Sequence, residues 1–233
     1  MSKVSGRTQP KRSASASQNR AQTVRAPGGP RRSTVIAAAV ITVFAVIVLY
    51  LIYQTSQPTP EASGGGSGYQ HVAGEPGIGD PAPAFTLSAS TGGEISLADY
   101  RDQAVLLFFQ EGLMCQPCVD QITDLEQHQA ALAKAGVDKV ISISHDPLGQ
   151  VRQVAADSDL STPWLSDPTQ RVIRAYDAHK YGMMQGTTAG HSFLLVGPDG
   201  TIQWRADYGG PPDYTMFVPT KRMLADLAQE RAS

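Results

Sequence analysis

Residues Val105 to Gln110 read VLLFFQ, and four residues later the chain reads CQPC before entering an amphipathic pattern. A continuous apolar run of this length suits a strand buried on both faces. From Cys118 to Ala135, Val119, Ile122, Leu125 and Leu132 recur at helical spacing among charged and amide residues, and Gly136 ends the pattern. A doubly covered strand feeding a helix requires a sheet flanked by helices, an α/β arrangement. The elements that follow agree with it. Lys139–Ser144 (KVISIS) alternates as a strand, and Pro147 to Ala156 reads as a helix with proline in its first turn. Asp167, Pro168 and Thr169 form a turn and cap into a helix through Ala175. SFLLV (192–196) and TIQWR (201–205) flank GPDG, a hairpin signal, and a last helix spans Pro219 to Gln229. The order β, α, β, α, β-hairpin, α is that of a thioredoxin-like fold with a central mixed sheet.

The first third of the chain cannot belong to that core. Residues 1–34 hold eight Lys or Arg, no Asp or Glu, and otherwise mostly Ser, Ala, Gln, Gly and Pro, a composition that cannot bury enough apolar surface to fold. The rest of the chain carries 11 basic and 21 acidic residues, a formal charge of −10 that the overall −2 conceals. A basic arm alone is compatible with nucleic-acid binding, but residues 35–53 (VIAAAVITVFAVIVLYLIY) follow it without a single charge. About 20 apolar residues span the hydrocarbon of a bilayer, so this run is expected to be a transmembrane helix. No cleavage site of the small-x-small kind follows directly, which favours an uncleaved anchor. The Lys and Arg residues before the run place the N-terminus in the cytoplasm and the remainder outside. Four segments result: a basic tail (1–34), a membrane helix (35–53), a flexible tether (54–75) containing SGGGSG, and a folded domain (76–233).

Cys115 and Cys118 are the only cysteines of the chain. A Cys-x-x-Cys motif between a buried strand and a helix N-terminus is a redox motif, because backbone N–H groups and the helix dipole stabilise a thiolate there. Cys115 is expected to attack and Cys118 to resolve the mixed disulfide, with Pro117 in the first turn, where no donor is needed. A structural disulfide closing so small a loop constrains little chain entropy, and a structural zinc site lacks a second cysteine pair. His191, just before the SFLLV strand, lies where thioredoxin-like folds usually carry a cis-proline beside the cysteines. It either tunes the thiolate, carries protons, joins both sulfurs around a soft metal, or simply caps the strand. Glu111 is a proton acceptor or a solvated loop carboxylate. Met183 and Met184 are soft ligands or gap-fillers.

Four landmarks carry a family resemblance: GDPAPAFTL (79–87), the apolar strand leading to cysteine, ISISHDP (141–147), and PWLSDPTQRVIRAY (163–176). Together they resemble the peroxiredoxin and redoxin branch of the thioredoxin superfamily, the alkyl hydroperoxide reductase and thiol-specific antioxidant proteins. That resemblance implies antioxidant thiol chemistry without a cofactor. The family's Pro-x-x-x-Thr-x-x-Cys is absent, since the Pro and Thr positions are Phe108 and Gly112 counted from Cys115, and Glu111 and Cys115 counted from Cys118. The family's arginine would fall near Gly190. These departures favour a membrane-anchored, extracytoplasmic thiol-disulfide oxidoreductase over a peroxidase. Its implied partners are a disulfide or oxidant substrate, a thiol protein as electron donor, and lipid at the anchor, with no nucleic acid. The chain is also similar to Sco-type copper chaperones, which implies Cys115, Cys118 and His191 as copper ligands. A redox-inert interaction domain is the remaining alternative.

Overall fold

The computed structural model describes residues 41–43, 45–49, 69–184 and 186–232. The chain divides into two units, Met1–Ala62 and Ser63–Ser233. In the first, residues 41–43 and 45–49 are helical and exposed. The basic tail and most of the expected membrane helix and tether lie outside the described residues. Among those described, no helix is long and apolar enough to cross a membrane.

The second unit is built on one seven-stranded sheet. Its strands are β1 (Thr86–Ala89), β2 (Glu94–Ser96), β3 (Val105–Phe109), β4 (Lys139–Ser144), β5 (Trp164–Ser166), β6 (Ser192–Val196) and β7 (Ile202–Asp207). They lie in the order β2-β1-β5-β4-β3-β6-β7. β3, β4 and β5 pair in parallel and the other pairs are antiparallel, so the sheet is mixed as expected. The helices are α1 (Gln116–Gln127), α2 (Gln129–Lys134), α3 (Leu148–Asp157), α4 (Arg171–Ala175) and α5 (Thr220–Arg231).

β3 occupies the position its sequence requires. Leu106 and Phe108 pack into one core with Ile122 and Leu125 of α1 and Met223 and Leu227 of α5. Val105, Leu107 and Phe109 pack into a second core with Val172 and Ile173 of α4 and Tyr176. Each such side chain contributes roughly 1.5–3 kcal/mol on burial, so the unbroken apolar run reflects two cores sharing one strand.

Three local features differ from the sequence reading. The helix expected over 118–135 is two helices, because His128 leaves helical geometry and its ring Nδ1 meets the Asp124 carbonyl oxygen at 2.8 Å. A β1–β2 hairpin precedes β3, turning at Gly92 and Gly93, both at positive φ. PWLSDP is partly strand: β5 pairs with both β4 and β1 before Asp167 caps α4, its carboxylate accepting from the N–H groups of Arg171, Val172 and Ile173.

β7 ends the sheet, and the chain covers that edge with its own earlier segment. Val72 pairs with Asp207, the N–H of Gly79 donates to the carbonyl of Ile202, and the N–H of Ile202 donates to Asp80. Between them Arg205, fully buried, forms a bidentate ion pair with Asp207 at 2.7 and 3.0 Å and donates to the Pro76 carbonyl at 3.0 Å.

Candidate active site

Cys115 and Cys118 form a disulfide with a Cα–Cα distance of 5.3 Å, placed where β3 hands over to α1. Cys115 is the N-cap residue of α1, and Pro117 sits at the second helical position, where a missing N–H costs no bond. Cys118 follows inside the first turn and is fully buried, while Cys115 keeps 8 % of its surface exposed. Of the two residues, Cys115 is the one with any exposed surface. Both sulfur-bearing residues pack against Met216, which lies in the segment between β7 and α5.

The approach from β3 to Cys115 is held by buried polar groups. Gly112 adopts φ +101° and donates its N–H to the Gln110 side-chain oxygen at 2.8 Å, while Gln110 Nε2 donates to Ser142. The next N–H, of Leu113, donates to Asp146 Oδ2 at 3.1 Å, and that oxygen also accepts from Ser144 Oγ at 2.7 Å. Ser144 Oγ in turn accepts from the indole of Trp164. The end of β4 thus fixes the loop that aims Cys115.

Behind α1 sits His191, fully buried, with its ring edge-on to Phe108 at 4.7 Å and to Phe193 at 5.3 Å. Its Nε2 meets Gln121 Oε1 at 3.2 Å, and the same oxygen accepts the Val218 N–H at 2.7 Å. Burial among aromatic rings pushes the imidazole pKa down to about 3, so the ring is neutral at physiological pH and places no positive charge near a thiolate. The backbone around it is tight. The His191 N–H donates to Tyr181, the Gly209 N–H donates to the His191 carbonyl, and a side chain at Gly190 or Gly209 would collide with the backbone at Tyr181.

The sequence-derived candidates therefore divide. Cys115, Cys118 and Pro117 lie together at the N-terminus of α1. Glu111 serves as a tie, its Oε1 accepting the Met183 N–H at 2.8 Å and joining the 181–184 loop to the loop before Cys115. Met183 and Met184 are exposed rather than core. The copper triad is not assembled: the disulfide takes both sulfurs, His191 Nε2 is engaged by Gln121, and among the described residues no group of three or more His, Cys, Asp or Glu side chains could hold a metal ion. Gln121, Asp146, Gln110 and Met216 also build the site, and no motif in the sequence marks them. Gln121 was legible in principle, being the one amide on the buried Cys118, Ile122, Leu125 stripe of α1.

Residues 78–205 match the AhpC/TSA family. The chain belongs to the AhpC/TSA family. Among relatives, it is 34 % identical over 127 residues to Mycobacterium tuberculosis Rv2521, which carries a provisional peroxiredoxin name; the match spans 53 % of this chain and 80 % of the relative. Peroxiredoxin Bcp of Escherichia coli is 31 % identical over 128 residues, 54 % of this chain and 81 % of that protein. Among solved structures, peroxidoxin BcpB of Mycobacterium tuberculosis superposes with a TM-score of 0.54 at 20 % identity, covering 65 % of this chain and 96 % of its own, a likeness of fold. Within this AhpC/TSA member, both counts of the peroxide-orienting motif lack the hydroxyl of threonine, because Gly112 and Cys115 stand at the two possible positions.

Proposed function

We propose that this chain is a thiol peroxidase of the peroxiredoxin type, cycling between a Cys115/Cys118 dithiol and the disulfide seen here. The observation that carries the reading is the Cys115–Cys118 disulfide at the N-terminus of α1 in a member of the AhpC/TSA family. The helix terminus stabilises Cys115 as thiolate. Its sulfur attacks the terminal oxygen of a hydroperoxide, the S–O bond forms, the O–O bond breaks, and the alcohol or water leaves with a proton. Cys118 then attacks the Cys115 sulfenic acid, the S–S bond forms, and water leaves with the thiol proton. Two thiol-exchange steps with an external dithiol, such as a thiol protein, restore the pair.

A second reading, disulfide exchange with oxidised proteins, is favoured by the missing threonine hydroxyl and the missing arginine. Both readings use the same sulfurs and no resident cofactor. The charge-free run 35–53 behind a basic arm supports placing the domain outside the cytoplasm on a membrane anchor.

The deciding experiment treats the reduced full chain with one equivalent of hydroperoxide. The peroxidase reading expects stoichiometric disulfide, none in Cys115→Ser, and a trappable sulfenic acid in Cys118→Ser. A dithiol that survives peroxide yet exchanges with a protein disulfide establishes the second reading. Inertness to both refutes the two together.

A further inference from the structure

Reducing the disulfide adds a thiol donor to the inner face of α1, and that face already holds an acceptor with nothing to accept. His191 Nδ1 and Gln121 Nε2 are buried without a hydrogen-bond partner among the described residues. The protonation pattern follows from the neighbours. The Val218 backbone N–H can only donate, so the Gln121 atom it meets at 2.7 Å is the oxygen. That same oxygen receives the second bond from His191, so the ring proton is on Nε2 and Nδ1 is a bare lone pair. The hydroxyls of Ser192 and Thr188 are themselves unpartnered and do not supply it.

Gln121 follows Cys118 by one helical turn, and both are fully buried, so they share the inward face of α1. His191 is thus tied through Nε2 to the same inward face of α1 that carries Cys118. Resting on the proposed dithiol–disulfide cycle, we infer that His191 is a positioning residue that sets the redox poise of the pair: in the dithiol, Cys118 S–H donates to His191 Nδ1, a bond that the disulfide cannot make. The electron count is that of ordinary exchange. A reducing dithiol gives two electrons and two protons, becomes a disulfide, and leaves one proton on each protein sulfur. The Cys118 proton stays on sulfur and is shared with Nδ1, because a ring this reluctant to ionise does not take it. An unpaired buried acceptor costs free energy only in the oxidised state, so His191 favours the dithiol and makes the pair the stronger oxidant.

The test equilibrates the full chain with dithiothreitol at graded ratios and reads the thiol fraction by alkylation. His191→Asn returns an acceptor near the Nδ1 position, whereas His191→Gln reaches toward Gln121 and lacks one there. The expected result is a shift of at least tenfold toward disulfide in the Gln variant, about 30 mV for a two-electron couple, with the Asn variant within threefold of wild type. Equal shifts in both variants, or no shift in either, overturn the inference while leaving the cycle intact. A wild-type pair with no reversible couple overturns the cycle and the inference together. Should the variants fail to fold, the 15N shift of His191 Nδ1 in the wild type decides: it moves on reduction if the bond forms, and an unchanged shift overturns it.

Discussion

Replacing Gly112 with alanine tests whether the loop before Cys115 is held as described. At φ +101° an alanine is strained, and its Cβ would overlap Asp146 Oδ2 and lie 2.9 Å from Asp146 Cγ. The carboxylate must move, and moving it strands the Leu113 N–H and the Ser144 hydroxyl that it serves. A strained backbone residue costs about 1–3 kcal/mol and a stranded buried polar group about 1–3 kcal/mol, so the variant loses roughly 2–6 kcal/mol. That is a large share of a domain stability of about 5–15 kcal/mol. The assay is urea unfolding in a double-mutant cycle with Asp146→Ala, using the oxidised protein throughout. Asp146→Ala alone costs about 1–3 kcal/mol by stranding the same donors. In the double variant the collision is gone, so the two losses sum to at least about 1 kcal/mol more than the double loses. Additive losses, or a Gly112→Ala loss below about 1 kcal/mol, refute contact between Asp146 and the loop as the source of its geometry.

Other consequences follow from buried groups. His191 has its pKa depressed from the usual 6.5 to about 3, so the unfolded chain binds a proton below pH 6.5 that the folded chain refuses. Its contribution is complete above pH 6.5 and is lost as pH falls toward 3, at up to about 1.4 kcal/mol per pH unit. Urea midpoints between pH 7 and 5 fall less steeply in His191→Gln than in wild type; parallel slopes contradict the assignment. Arg205→Met leaves Asp207 charged and buried, costing about 3–5 kcal/mol, whereas pairing it with Asp207→Leu recovers much of the loss in thermal unfolding. Met216→Ala uncovers the cysteines and speeds reduction of the disulfide by dithiothreitol several-fold; an unchanged rate shows that Met216 does not shield them.

Much of the framework was legible because it is local. The VLLFFQ run, the GPDG turn and the start of α1 at the cysteines depend on residues within a few positions of one another. The β1–β2 hairpin and β5 were not, since strands of three or four residues carry too few alternations to be told from loop. The supports of the redox pair were hidden for another reason. Leu113 meets Asp146 33 residues away, Gln121 meets His191 70 away, and Val218 meets Gln121 97 away. Ordinary polar residues acquire those roles only when the sheet brings them together.

The covered edge of β7 bears on how such a protein meets others. A free outer strand is a rail on which a foreign strand, or a copy of the same chain, can be zipped by main-chain bonds. Here the rail is taken at both ends, at Ile202 and at Asp207, and bolted midway by Arg205 to Pro76. Growth of the sheet in that direction requires peeling away residues 72–82 and breaking into a buried ion pair. A strand added past β7 would therefore have to displace main-chain bonds the chain already makes with itself, which leaves β2 as the sheet's other edge.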